Sequence, residues 1–173
     1  IKLEDYICNI GYNKKELAGR DFEFLAMKTQ SYILSYKEVR KAIAYTINKE
    51  NIVGTQFNGK YKVTNYPLDY GSYLRGEDQG NICNPDRARQ ALEENGWNYK
   101  KNKWQKTENY NTKVINLKLV VQASNSTRLN IAEMIKSNLE EVGMKVSIVK
   151  ASDSQYQYYL QNKNYDMIIT GIT

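Results

Sequence analysis

Side chains able to do covalent chemistry are scarce in this sequence, and their spacing does not assemble them. It holds no histidine, so the commonest general base and a frequent zinc ligand are both missing. Glu93-Glu94 and Glu140-Glu141 are adjacent carboxylates, but neighbours on a helix point about 100° apart, which suits surface charges better than a catalytic pair. Cys8 and Cys83 belong to no CxxC pattern. A disulfide between them is one reading, and so low a cysteine count fits a reducing cytosol as well as a Gram-positive exterior. No GxxxxGK stretch occurs, and Gly71, Gly76 and Gly80 do not join a strand to a helix. The expectation is therefore no enzyme, no metal site and no cofactor.

Tyrosine is what the sequence has in quantity, 15 of 173 residues. Tyr61, Tyr66, Tyr70 and Tyr73 share one stretch with Pro67 and three glycines, and Tyr156, Tyr158 and Tyr159 share another. A tyrosine joins a flat apolar body to a polar tip, which suits a ligand or partner surface and equally a half-buried place in a strand or helix. The net charge of +6 raises nucleic acid and anionic membranes as partners. Yet Lys100, Lys101, Lys103 and Lys106 fall in "GWNYKKNKWQKTENYNTK", which reads as a solvated hairpin or loop, so no nucleic-acid partner is expected. No run approaches the ~18 apolar residues of a membrane helix.

The elements that must position these residues are clearly punctuated. "DFEFLAMK" predicts a strand over 22–28 with apolar residues on both faces. Ser35 and Glu38 have the spacing of a capping box, which predicts a helix from Tyr36 with Val39, Ile43 and Ile47 buried. Asn48 caps a second helix over 49–56, and Asn84-Pro85 starts a third that Gly96 ends. Residues 60–83 read as a long ordered loop. A strand follows over 114–122, then a long helix with Leu129, Ala132, Ile135, Leu139 and Val142 inward and Gly143 at its end. Asn125-Ser126-Thr127 matches a glycosylation pattern, but a helix cap is the better reading. A strand over 144–149, a helix over 153–162 started by Ser152 and Gln155, and a strand over 165–172 complete the chain. Alternating helices and strands predict an α/β (α+β) fold, a mixed sheet with helices packed on it.

Taken together, "FEFLAMKT", "SYKEVRKAIAYTINKENIV", "NPDRARQALEENGW", "LKLVVQ", "RLNIAEMIKSNLEEVGMKVSIV" and "YLQNKNYDMIITGI" resemble, in order and spacing, the extracellular solute-binding proteins of family 5. These are the oligopeptide, dipeptide and nickel receptors of ABC importers. The resemblance implies a two-lobed type II periplasmic-binding-protein fold, of which 22–173 would be one lobe cut before its return to the other, with 1–21 as a lead-in. It implies a receptor that closes on a peptide or other small solute, hands it to a membrane permease and does no chemistry. It also implies a monomer on the outer face of the cytoplasmic membrane, its parent lipid-anchored as in Gram-positive bacteria, or in the periplasm.

The ligand wall implied by the resemblance lies at strand ends and loops: Lys28, Thr29, Tyr70, Asp153, Ile169, Thr170, Gly171, Ile172 and Thr173. Many members pin a peptide's ammonium with an aspartate a few residues past the strand similar to "YDMIITGI", beyond Thr173. Members often carry Gly-Trp where this chain has Gly171-Ile172, and asparagine where it has Lys28. Asp153 stands where the family often has an aromatic. It either pairs a cationic ligand group or simply favours the helix start it occupies. A second reading of the residues is a surface interaction or signalling module that uses its tyrosine clusters.

Overall fold

Apolar alternation builds the strands of this chain and four-residue apolar spacing its helices, in an order close to that expected. The computed structural model describes residues 19, 21–58, 60–65 and 82–172. Along them run β1 (Phe22–Met27), α1 (Lys37–Thr46), α2 (Lys49–Phe57), α3 (Pro85–Glu93), β2 (Asn98–Lys100), β3 (Lys103–Glu108), β4 (Asn111–Val114), β5 (Asn116–Gln122), α4 (Ser126–Glu141), β6 (Lys145–Ala151), α5 (Asp153–Asn162) and β7 (Met167–Ile172). The expected lead-in apart from Gly19 and Asp21, most of the tyrosine loop and Thr173 lie outside the described residues.

The main sheet has the order β1-β7-β5-β6. β5 pairs parallel with both β6 and β7, while β1 runs antiparallel to β7. Because β6 and β7 flank β5 on opposite sides, two right-handed crossovers must land on opposite faces of the sheet. They do. Leu117, Leu119 and Val121 of β5 join one core with Ile131, Ala132, Ile135 and Leu139 of α4, to which α1 and α3 add Val39, Ile43, Ala88 and Leu92. Val120 turns the other way, into a smaller cluster with Ile168, Ala151 and Tyr156 of α5.

Local caps explain where most helices start. The side chains of Asn48, Asn84 and Asn125 accept from the backbone N–H of Asn51, Arg87 and Arg128. Ser152 and Gln155 form the reciprocal pair expected of them. The Ser35–Glu38 pair does not: α1 starts one residue later without a side-chain cap. Ser35 instead donates to Tyr32 O, and Glu38 accepts from Trp97 Nε1 at 3.3 Å. An indole held against the helix competes for the carboxylate that a capping box would need.

The expected strand over 114–122 is two strands. At Ile115 the chain leaves the small antiparallel sheet β2-β3-β4 and enters the main one, with Ile115 fully buried and its N–H bonded to Trp104 O. The lysine-rich stretch is the hairpin the sequence suggested. Its two-residue turns, Lys101-Asn102 and Asn109-Tyr110, have positive φ throughout, as a type I′ connection requires. Trp104 fixes this sheet to the body by donating Nε1 to Val142 O at 2.7 Å.

A charged cluster closes the seam between hairpin and α1. Tyr36 donates to Glu108 at 2.5 Å, Lys106 pairs with Glu108 at 2.9 Å, and Lys113 reaches both Glu108 and the Tyr36 hydroxyl. The Tyr36 hydroxyl first, and Lys106 after it, hold the Glu108 carboxyl down at about 2, against 4.5 ordinarily. A carboxylate with a depressed pKa adds stability that is complete above its unfolded value and disappears as pH falls through the folded one. Glu108→Gln should therefore flatten the loss of stability between pH 4.5 and about 2 in acid-denaturation curves. An unchanged slope would show that the cluster does not couple to folding.

Gly143 ends α4 at φ +87°, and a Cβ built there would lie 2.3 Å from the Tyr99 ring. Gly143→Ala should cost about 1–2 kcal/mol in urea denaturation, from left-handed strain and displacement of that ring.

Candidate functional site

In open α/β sheets polar groups gather where strands end, because the strand interiors are apolar on both faces. The carboxyl ends of β5, β6 and β7 lie together at one edge, beside the start of β1. The loop after β5 leads to α4 on one face and the loop after β6 to α5 on the other, so this edge is the switch point of the sheet.

A continuous chain of polar contacts crosses it. Arg128, in the first turn of α4, binds Glu23 of β1 through two bonds, Nε to Oε2 at 3.0 Å and Nη2 to Oε1 at 2.7 Å. Its Nη1 reaches Gln122 Oε1 at 3.4 Å. Gln122 Nε2 donates to Asp153 Oδ1 at 2.9 Å, and Ser124 Oγ donates to the same oxygen at 2.7 Å. The Arg128 and Glu23 side chains are only 15% and 29% exposed, so their pairing is half-shielded from water. The bond to Glu23, ahead of its charge, raises the Arg128 pKa against the opposing effect of burial.

Gly171 is what lets this pair lie flat. It is the register partner of Glu23, and a Cβ there would come 2.6 Å from Glu23 Oε1 and 3.0 Å from Arg128 Nη2. Asp153, exposed at the start of α5, has its carboxyl held below the usual range by the Ser124 bond first and the Gln122 bond second.

The residues expected to form the wall divide between two edges. Thr170, Gly171 and Ile172 share the polar edge with Asp153, and Ile172 is 55% exposed there. Ile169 contributes only backbone: its side chain is buried, and its carbonyl accepts from the Tyr156 hydroxyl at 2.6 Å. Lys28 and Thr29 stand at the opposite edge. Since β1 is antiparallel to β7, Lys28 lies beside Asp166, whose carbonyl its N–H meets at 2.8 Å. Five residues at ~3.3 Å each put it about 17 Å along the strand from Glu23. The structure thus does not bring Lys28 and Thr29 together with Asp153. Tyr70 and Thr173 lie outside the described residues.

Sequence reasoning missed Glu23, Gln122, Ser124 and Arg128. The signal was available for two of them, since Glu23 and Gln122 are polar residues at the ends of apolar strands. Cys83 is a free thiol that donates to Thr46 O at 3.5 Å, its pKa raised by burial and then by Glu141. An open groove of about 650 Å³ runs between α1 and α3, lined by Lys37, Lys41, Tyr45, Arg87 and Glu94 among others, and takes no residue from the main sheet. Among the described residues no helix is long and apolar enough to cross a membrane, and no three His, Cys, Asp or Glu side chains gather as metal ligands would.

A double-mutant cycle on Glu23→Gln and Arg128→Met should return a coupling of about 1–2 kcal/mol in urea denaturation. A value below about 0.5 kcal/mol would class the pair with ordinary exposed ion pairs.

Residues 4–173 match the family described as bacterial extracellular solute-binding proteins, family 5, middle region. The chain is 26% identical over 155 residues to the peptide transport periplasmic protein SapA of Salmonella typhimurium, covering 88% of this chain and 26% of that protein. It thus spans about a quarter of the length of the curated relatives it matches. Its fold is similar to that of the oligopeptide-binding protein of Thermus thermophilus solved with a pentapeptide, with TM-score 0.79, 21% identity, and coverage of 89% of this chain and 28% of that one. It is also similar to that of NikZ of Campylobacter jejuni solved with Ni(L-His), with TM-score 0.77, 20% identity, and coverage of 88% and 29%.

Proposed function

The chain belongs to the bacterial extracellular solute-binding proteins of family 5, and from that premise we propose that it is the ligand-holding lobe of an oligopeptide receptor serving an ABC importer. Members of the family are transport receptors and carry out no reaction. The observation that carries the reading is the convergence of Glu23, Arg128, Gln122 and Asp153 at the switch-point edge. There, partly buried polar groups and the exposed Asp153 stand at the end of a rigid sheet and can meet the termini and backbone of an extended peptide. The peptide named in the relative from Salmonella and the pentapeptide held by the Thermus protein support a peptide as the ligand.

On this reading a second lobe supplies the opposing wall, and closure of the two buries the ligand. The parent receptor works on the outer face of the cytoplasmic membrane, held by a lipid anchor, or in the periplasm, and delivers its ligand to a permease. Thr170 and Ile172 join Asp153 in the proposed wall, and Gly171 leaves room for the ion pair above it. Lys28 and Thr29, at the far edge, could meet a ligand only through a second surface.

One lobe alone offers half of the contact area, so the isolated chain should bind far more weakly than the receptor it belongs to. Calorimetry with an alanine-rich pentapeptide should give a Kd of ~1 μM or tighter for the full-length receptor, and no measurable heat for residues 1–173 alone. Micromolar binding by the isolated chain would overturn the two-lobe reading.

A further inference from the structure

Among the described residues of this chain of contacts three are charged, Glu23, Arg128 and Asp153, and only two of them cancel. Glu23 and Arg128 neutralise each other through their paired bonds. Asp153 receives only uncharged donors, Ser124 and Gln122, and both land on Oδ1. Its Oδ2 has no partner among the described residues.

Gln122 is the reason Arg128 does not neutralise Asp153 as well. Its amide stands between them, taking Arg128 on Oε1 and giving Nε2 to Asp153. The other nearby cation is turned away: Lys150, next to the end of β6, pairs with Glu133 of α4 at 3.6 Å. The end of β5 and the loop after it therefore clamp one carboxylate oxygen and leave the other, still charged, at the strand edge.

From this arrangement we infer that Asp153 selects a cationic group of the bound peptide, a lysine or arginine side chain or the N-terminal ammonium, and receives it on Oδ2. The inference rests on the strand edge being the peptide site, as proposed above. Its low pKa keeps the carboxyl ionised throughout the neutral range. A charge-assisted hydrogen bond to it discriminates by about tenfold against an uncharged group of the same size.

The test uses the full-length receptor and alanine pentapeptides carrying one lysine at each of the five positions. Each is matched by its norleucine counterpart, and each set is prepared with a free and an acetylated N-terminus. Calorimetry should show one charged group, at a single lysine position or at the N-terminus, improving binding about tenfold over its neutral match. In Asp153→Asn, which keeps an acceptor for Ser124 and Gln122, that ratio should fall within about twofold of unity while the melting temperature holds. Asp153→Lys should reverse the preference towards glutamate peptides. A lysine or ammonium preference that survives in both variants, or is absent from the wild type, overturns the inference and leaves the peptide reading standing. If no peptide binds the wild-type receptor, the peptide reading falls and takes the inference with it.

Discussion

Strand β5 has an apolar layer against each of its faces, and the architecture follows from that constraint. Leu117, Leu119 and Val121 face one cluster and Val120 the other, so no position between Lys118 and Gln122 carries a group that needs water. A strand of this kind must lie inside its sheet, with neighbours on both edges and helices over both faces. β6 and β7 take the edges, α4 and α5 the faces. The polarity excluded from the interior reappears at Gln122, where the strand ends and the contacts crossing the edge begin.

Half-buried charges elsewhere obey the same economy of partners. Glu108 is met by a phenol and two lysines, and Glu23 by both arms of a guanidinium. Each carboxylate removed from water thus regains in fixed donors what it loses in hydration. Asp153 differs because it remains in water and keeps one oxygen uncommitted. The contrast separates charges that hold the molecule together from one available for recognition.

Much of this was legible in the sequence because its causes are local. Asn48, Asn84, Asn125 and Ser152 announce helices by hydrogen bonds that close within three residues. The family resemblance could be read from segments in order, and it agrees with the membership found by comparison. What was not legible depends on tertiary direction. Nothing in "FEFLAMK" says whether its strand runs with or against the last one, and on that alone turns which end of it adjoins Gly171. Glu23 and Arg128 meet across 105 positions, a pairing no local pattern encodes. The break at Ile115 was hidden for the opposite reason: its apolar alternation continues unbroken while the hydrogen-bond partner changes from one sheet to the other.

The two tryptophans of the chain, Trp97 and Trp104, are both buried where the small hairpin sheet meets the body. One donates to Glu38 at the start of α1 and the other to Val142 at the end of α4. Neither belongs to the polar edge at the carboxyl ends of β5 to β7. The indole emission of these residues is therefore an optical gauge of how the hairpin is seated, and it stays silent about events at the far-removed strand ends.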